Sequence, residues 1–466
     1  MTTAAEQFAA FATTLTYDDV PSDVIEHAKD HLLDTYGCGL AASAMGVATE
    51  GRSTMRELGG IGDAVVIGQE EGMPGANAAF ANAMLCHGLD FDDTHSDSVS
   101  HVSTVVCPAA LATAQSKGAS GTDLITAIVI GNEIVTRVGM ATPGAFHKRG
   151  FHPTAICGIF GATAAVGRLL GNDAETITRA LGIAGSMASG LFAYLTDGTP
   201  TKPIHPAWAA HGATIANQLA AFGAIGPKSV FEGKFGVYHA FLGVKEIDLD
   251  EQLSDLGERW ETPRIAYKPY PACHFIHGSL GATASLAAGR TFTADEIDAI
   301  TVRVPEAGVA LVLEPETEKR APRSEYEGKF SLQYSTAAML GRGSVGVSDY
   351  TDEAIGDQSV LDIAAKVSYE TKEYASYPSE GFPGGVEIKL ANGDVLAAEL
   401  EHQKGGPDNP MSREEVSAKY RLNGSLALDD ADLDTLEANV IGIEEHSDLT
   451  AAFAPLASAA SAPAGA

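Results

Sequence analysis

Helical periodicity over the first 260 residues restricts the possible folds of this 466-residue chain more than any other feature. Between Val24 and Leu40 an apolar or aromatic residue recurs every four positions, and Pro21-Ser22 supplies a start signal for that helix. Small residues dominate several of the following segments, so their helices can approach closely and bury one another. The sequence therefore predicts a large all-helical domain. Further helices are predicted at 76–89, 103–116, 122–138, 154–170, 174–186 and 206–222.

The character of the chain changes after three prolines in the nine residues 263–271, which indicate a crossing between domains. Beyond them, Ile300, Val302 and Val304 alternate as in a half-buried strand, and Asn392-Gly393 between two apolar runs predicts a hairpin. Helix resumes at Ser412, where Glu415 completes a capping-box pattern. We therefore predict a mainly α protein with an α+β insertion: a discontinuous helical domain (1–265 and 405–466) and an α+β lid domain (266–404).

The balance of charges excludes several classes of partner. Sixty-one Asp and Glu oppose thirty Lys and Arg, giving a formal net charge of −31. Nucleic acids and anionic membranes require a basic surface, so neither is expected as a partner. The even spread of the acids favours the hydrated surface of a halophilic protein over that of an ordinary acidic one.

Other features predict a reduced, cytoplasmic protein. The five cysteines are odd in number and form no CxxC pair, and no signal-peptide pattern opens the chain. The longest apolar segment, 153–170, has roughly the length of a membrane span. Because it is rich in Gly and Ala and contains Arg168, we interpret it as a buried helix and predict no membrane span.

The densest polar cluster lies at 87–103, next to a strongly apolar run. Three acids, Asp90, Asp92 and Asp93, fall within four residues, and His101 follows them. Such a set can bind a metal, can act in acid/base chemistry on an anion, or can form a solvated turn that caps the next helix. No HExxH or DxDxDG pattern supports the metal interpretation.

Four further motifs have both a functional and a structural interpretation. His152 precedes a helix that starts with Pro153, where backbone N–H groups favour an anion, but it can equally be a capping residue. Lys202 is either a carboxylate-binding cation or a surface lysine. The segment 267–277 is either a pocket at the domain junction or a proline-stiffened linker. Tyr334 is either a phenolic proton donor or a buried core residue.

Taken in order, these motifs resemble those of the 2-methylcitrate dehydratase/cis-aconitate decarboxylase family, MmgE/PrpD, which also includes an iminodisuccinate epimerase. The matching motifs are LDFDDTH followed by H-x-S, then GFHPT, TKPIHP, YKPYPxC and KFSLQY, and the resemblance extends to about residue 440. It implies a helical domain with an α+β lid, a homodimer, no metal and no organic cofactor. It also implies a small polycarboxylate substrate bound between the two domains.

The resemblance also implies the identity of the site residues. Val102 replaces the proline of the family's usual His-Pro-Ser, and Cys273 stands where decarboxylase-like members can carry a second histidine. His277, in the same motif as Cys273, is a further expected substrate-binding residue. The positions that match the family motifs directly are Asp90, Thr94, His101, His152, Lys202, Lys268 and Tyr334.

We therefore expect a cofactor-free lyase that acts next to a carboxylate, with dehydration of a 2-methylcitrate-like substrate as the main prediction. Decarboxylation of cis-aconitate and epimerisation of a dicarboxylate such as iminodisuccinate are the alternatives within the family. Outside it, a metal-dependent hydrolase and a non-catalytic binding protein remain open.

Each expected site residue has an expected role. His101, oriented by Asp90, is the general acid/base, and Tyr334 assists proton delivery. Lys202, Lys268 and His152 hold the substrate carboxylates. Thr94, Cys273 and His277 complete the binding site.

Overall fold

A computed structural model describes residues 2–196, 198–244, 247, 249–377 and 381–460. The protein is mainly helical with a small mixed sheet. All the predicted helices are present within a few residues of their expected ends. In the first part of the chain the helices are α1 (Ala4–Thr14), α2 (Ser22–Ala44), α3 (Glu50–Gly59), α4 (Gly75–Gly88), α5 (Ser103–Lys117), α6 (Gly121–Met140), α7 (Ala145–Lys148), α8 (Pro153–Leu169), α9 (Ala174–Ala184), α10 (Ile204–Ala221), α11 (Val237–Leu242) and α12 (Asp250–Leu253).

The apolar segment 153–170 forms α8, whose residues are buried from Pro153 to Gly167. It packs against α6 and α10, and glycines at the crossings allow the close approach that small residues predict. A side chain at Gly161 would meet the backbone oxygen of Gly131 on α6 at 2.3 Å. Within the described part of the chain, no helix combines the length and apolarity that crossing a membrane requires.

The expectation of an all-helical first part is wrong in two places. Strand β1 (Ala64–Val66) pairs antiparallel with β2 (Gln69–Met73), and β3 (Thr94–His95) pairs antiparallel with β4 (Ile265–Ala266). The second pairing joins segments 170 residues apart, so no local pattern of side chains could indicate it. It brings the acidic motif alongside the segment that carries Lys268.

The α+β segment contains a four-stranded sheet of order β6-β5-β7-β8, built from β5 (Ile297–Val304), β6 (Val367–Thr371), β7 (Gly384–Leu390) and β8 (Val395–Leu400). Strands β5 and β6 are parallel and the other pairs antiparallel, and the hairpin predicted around Asn392-Gly393 joins β7 to β8. The helices of this segment are α13 (His277–Ala287), α14 (Glu306–Val312), α15 (Glu316–Arg320), α16 (Glu325–Lys329), α17 (Leu332–Arg342), α18 (Asp352–Ile355) and α19 (Gln358–Ala364).

The C-terminal helices return to the first helical region. Ser412 and Glu415 form the predicted capping box at the start of α20 (Arg413–Gly424), which is followed by α21 (Asp430–Ile441) and α22 (Leu449–Ala452). One hydrophobic cluster contains side chains from both ends of the chain, including Phe8 and Phe453, and a second cluster lies between Ala272 and Leu390. The division into a domain of 1–265 with 405–466 and a domain of 266–404 stays a prediction.

A buried ion pair fastens α20 to the core. Lys419 Nζ lies 2.7 Å from Asp34 Oδ1 on α2 and donates to the backbone oxygen of Phe91 at 2.8 Å. Both charged residues are buried, and Phe91 stands between two acids of the polar cluster. The C-terminal segment is therefore connected directly to the acidic motif.

Replacing Lys419 with methionine should lower the free energy of unfolding by about 3–5 kcal/mol, because Asp34 would keep a buried charge without its partner. Denaturant unfolding monitored by circular dichroism measures this change. Lys228→Met is the matched control, since Lys228 pairs with Glu6 at an exposed site. Its loss should cost about 1 kcal/mol or less. Equal destabilisation by the two variants would contradict a special role for the buried pair.

Candidate active site

A cavity lies between the helical region and the α+β segment. Seven of the nine residues expected from sequence line it: Asp90, Thr94, His101, His152, Lys202, Lys268 and Cys273. The sequence interpretation did not select the other ten. These are Val99, His147, Phe192, Tyr194, Leu195, His274, Phe275, Leu311, Phe330 and Phe382.

The loop that follows α4 presents the acidic motif to this cavity. Asp90 and Val99 both have positive φ, at 53° and 54°, which is a strained conformation for a residue other than glycine. Such strain persists where surrounding contacts impose it and is concentrated at functional sites. At Asp90 the contacts come from Lys268, whose Nζ donates to the backbone oxygen of Asp90 at 2.8 Å.

Asp90 is also the centre of a buried cluster of charges. Its Oδ1 accepts hydrogen bonds from Lys202 Nζ at 2.7 Å and from Lys268 Nζ at 2.9 Å. Burial alone would raise the pKa of Asp90, but the two ammonium groups hold it well below its usual range. Burial opposes the charge of Lys202 as well, yet Asp90 raises the pKa of that lysine. The cavity wall therefore carries two cations and one anion.

His101 lies beside this cluster, but Asp90 does not orient it as expected. His101 Nε2 is 3.7 Å from Asp90 Oδ1, which is too long for a hydrogen bond. Asp92 is closer, with its Oδ2 3.2 Å from His101 Nδ1, and Thr94 Oγ1 lies 3.4 Å from the same nitrogen. Asp90 accepts hydrogen bonds from the two lysines instead, which explains why it does not bond to His101.

The structural interpretation of the acidic motif is correct for Asp93. Its Oδ1 accepts from the backbone N–H groups of Val102 and Ser103 at the start of α5, and its Oδ2 lies 2.8 Å from His31 Nδ1. Asp93 thus caps a helix, whereas Asp90 contacts groups of the cavity wall. One short motif therefore combines both functions.

His152 is placed in the cavity as expected, but not as a cation. It is the N-cap residue of α8, and its Nδ1 lies 3.1 Å from Nδ1 of His205. Burial and the nearby Lys202 lower the pKa of His152 well below its usual range, so the ring is neutral at pH 7. It can still offer a hydrogen bond to a carboxylate.

The structure does not bring Tyr334 into the cavity. Its hydroxyl donates to the backbone oxygens of Asp349 at 2.6 Å and Ala354 at 3.0 Å, and its side chain belongs to the core of the α+β segment. Proton delivery by Tyr334 is therefore corrected to a packing role. Phe330, from the same motif, lines the cavity instead, and Lys202 Nζ lies 5.7 Å from its ring centroid.

His277 is also displaced from its expected position at the cavity. Its Nε2 lies 3.1 Å from the oxygen of Ala272, and its ring packs behind that of His274, with the two centroids 4.6 Å apart. His274, from the same motif, lines the cavity in place of His277. Cys273 beside it is a neutral thiol, because burial raises its pKa to about 11.

Tyr194 is the phenol that the cavity contains. It belongs to the short helical turn Phe192–Leu195, and burial raises its pKa to about 12 while Lys202 opposes that shift. No motif marks this turn in the sequence. Its closeness to the lysine pair depends on how α8 and α10 pack, which side-chain periodicity does not specify.

Two groups of side chains in the described structure are close enough to hold a metal ion. Donor atoms of His87, His101 and His152 lie within 4.8 Å of one another, as do those of Asp90, Asp92 and His101. Asp90 already pairs with two ammonium groups, which disfavours the second set. The cavity as a whole suits an anion, because two lysines and several imidazoles line it.

The chain matches two family models in sequence. The MmgE/PrpD N-terminal domain covers residues 6–250 and the MmgE/PrpD C-terminal domain covers residues 270–441.

Similar proteins include the cis-aconitate decarboxylase-like protein oryM of Aspergillus oryzae, at 28% identity over 94% of each chain. The human cis-aconitate decarboxylase is 29% identical over 95% of this chain and 92% of its own length. That of Aspergillus terreus is 26% identical over 94% of this chain and 93% of its own length. Together with the cavity and its ordered motifs, the two domain matches establish that this chain belongs to the MmgE/PrpD family.

Proposed function

We propose that this protein is a decarboxylase acting on cis-aconitate or a closely similar unsaturated tricarboxylate. The observation that carries the proposal is the pair of buried lysines on Asp90, next to His101 in a cavity with one apolar side. Similar proteins over nearly the full length are named cis-aconitate decarboxylases, which favours this reaction over our main prediction from sequence, dehydration of a 2-methylcitrate-like substrate.

The chemistry of decarboxylation fits the two sides of the cavity. A C–C bond breaks, CO2 leaves, and the electron pair spreads over the neighbouring double bond and the carboxylate beside it until a proton arrives. Lys202 and Lys268 are placed to stabilise carboxylates that stay charged. Phe192 and Phe330 add apolar surface to the same cavity, and contact with such surface stabilises a departing carboxylate as it becomes neutral CO2.

His101 is the proposed proton donor because it borders both the cations and the open cavity. Tyr194 replaces Tyr334 as the phenol able to assist, since it lines the same space. His152 offers a neutral imidazole hydrogen bond to the substrate. These side chains supply proton transfer and charge stabilisation, in agreement with the cofactor-free chemistry that the family resemblance implies.

Dehydration remains a second candidate because of one specific observation. Cys273, a neutral thiol, occupies the position where decarboxylase-like members can carry a second histidine. At this position the site therefore has a thiol where decarboxylase-like members can carry an imidazole. Epimerisation would use the same proton chemistry and differs only in the face to which the proton returns.

Incubation with cis-aconitate should release CO2 and yield an unsaturated dicarboxylate with one carbon fewer, observed by NMR of the products. Parallel incubations with citrate, 2-methylcitrate and iminodisuccinate test the alternatives. Loss of water from 2-methylcitrate without decarboxylation of cis-aconitate would contradict the proposal, as would inversion of iminodisuccinate alone. Loss of activity after exhaustive chelation would instead favour metal-dependent chemistry.

His101→Gln should lower kcat on the confirmed substrate by at least about 10²-fold, because glutamine can hydrogen-bond but cannot transfer a proton. Tyr194→Phe should give a smaller loss. Tyr334→Phe is the control, since its hydroxyl donates to backbone oxygens outside the cavity and kcat should be retained. Steady-state kinetics at saturating substrate make the comparison. A larger loss for Tyr334→Phe than for Tyr194→Phe would reverse the two assignments.

We further propose that two copies associate through an uncharged face on α10, in line with the homodimer implied by the family resemblance. Residues 203–227 contain no Asp, Glu, Lys or Arg, although charged residues make up 20% of the chain. Two chains of net charge −31 repel each other, which favours contact where acids are lacking. The exposed apolar residues of this face are Ile204, Trp208, Leu219, Phe222 and Ile225.

Light scattering coupled to gel filtration should give the wild-type protein about twice the chain mass of 48.3 kDa. Phe222→Asp should shift it towards the mass of one chain, because the interface would acquire two buried like charges. Leu58→Asp, at an exposed leucine on α3, is the matched control and should stay dimeric. A monomeric wild type, or a dimer unaffected by Phe222→Asp, would exclude this face.

A further inference from the structure

Asp92 is a buried carboxylate that contacts two imidazoles and does not line the cavity. Its Oδ2 lies 2.7 Å from His87 Nδ1 and 3.2 Å from His101 Nδ1. The side chains of Asp92 and His87 are fully buried, whereas that of His101 is 11% exposed. Of these three groups, only His101 reaches the space where a substrate would bind.

The charge states around Asp92 follow from this burial. Burial lowers the pKa of His87 to about 4, despite the opposing effect of Asp92, so His87 is neutral at pH 7. Burial would raise the pKa of Asp92, but His87 and His101 keep it below its usual range. An anionic Asp92 therefore faces two imidazoles, and a neutral His87 must carry its proton on Nδ1 to donate to it.

We propose that Asp92 is a positioning residue that holds a proton on Nδ1 of His101 and so directs Nε2 towards the cavity. His87 fixes Asp92 from the opposite side through the 2.7 Å hydrogen bond. This inference rests on the proposed function: Nε2 of His101 takes up a proton from solvent, and the imidazolium then passes it to the carbon that has lost CO2. It also explains why the motif has a second acid, since Asp90 is occupied by the lysines.

The other contacts of His101 are compatible with the same tautomer. Thr94 Oγ1 lies 3.4 Å from Nδ1, and a hydroxyl can accept from N–H. On the other side of the ring, Nε2 is 3.7 Å from Asp90 Oδ1, which already accepts from two ammonium groups. The acceptors near Nδ1 therefore favour protonation of Nδ1 over protonation of Nε2.

Asp92→Asn should lower kcat by about 10²–10⁴-fold, with a much smaller change in KM. An asparagine amide can donate to Nδ1 and thereby stabilise the opposite tautomer. The Nε2 proton of that neutral ring is far less acidic than the proton of the imidazolium that an anionic Asp92 stabilises, so proton delivery slows. The upper end of this range, about 10⁴-fold, is the loss seen when the orienting aspartate of a Ser-His-Asp triad is replaced by asparagine. The lower end, about 10²-fold, is a small contribution for general acid/base catalysis. KM should change little because Asp92 does not line the cavity.

The decisive measurement is the ¹⁵N NMR spectrum of the histidine rings, since protonated and unprotonated ring nitrogens differ widely in chemical shift. His101→Gln identifies the signals of His101. In the full-length wild-type protein without substrate, Nδ1 should be protonated and Nε2 unprotonated. Asp92→Asn should reverse or mix the two forms.

Asp93→Asn is the matched control, because it makes the same chemical change at an equally buried neighbour that contacts His31 and caps α5. It should leave the tautomer of His101 as in the wild type. A wild-type His101 protonated on Nε2 would overturn the proposal even if Asp92→Asn failed to fold. An unchanged tautomer in folded Asp92→Asn would overturn it as well.

The two proposals can fail separately. If no tested polycarboxylate is converted, the proposed function fails, while the tautomer of His101 still tests the role of Asp92. If cis-aconitate is decarboxylated and Asp92→Asn keeps both the tautomer and the kcat of the wild type, only the positioning role fails.

Discussion

The contact of one carboxylate, Asp90, with two lysines is the interaction on which the site depends. Lys202 comes from the turn before α10, Lys268 follows β4, and Asp90 follows α4, so three distant parts of the chain meet at one oxygen atom. Removing three charges from water is costly, and the cost is offset only if the groups remain together. The same three side chains therefore hold the junction together and set the charge of the cavity.

This arrangement also gives three different tasks to the three carboxylates of one acidic motif. Asp90 holds the cations, Asp92 contacts the imidazoles, and Asp93 caps α5. Each carboxylate contacts a different set of groups, although all three lie within four residues. The turn that makes this possible needs a positive φ at Asp90, and Lys268 stabilises it by binding both the backbone and the side chain of that residue.

Local patterns were sufficient to predict most of the helices, the hairpin at Asn392-Gly393 and the cap at Ser412, because those signals act between neighbours in sequence. Seven of the nine residues that the motif resemblance selected line one cavity, and their roles stay a prediction. The features that were not predicted depend on contacts between distant parts of the chain. They are the β3–β4 pairing, the presence of Phe330 rather than Tyr334 in the cavity wall, and the position of Tyr194. In the motif KFSLQY, both aromatic residues look equally suited to a pocket, and only the orientation of α16 relative to α17 decides between them.

The scarcity of lysine in this acidic chain gains a physical meaning from the structure. Lysine is almost never fully buried unless it is paired, and every buried lysine in the described part of the chain has a carboxylate partner. Cations used in the interior are unavailable to the surface, so a polycarboxylate of the proposed kind would meet a repulsive exterior and an attractive cavity. At 0.1 M, salt screens the repulsion from the surface acids at distances beyond about 10 Å, and it affects the buried contacts much less. The buried lysines are Lys29, Lys202, Lys268, Lys329 and Lys419.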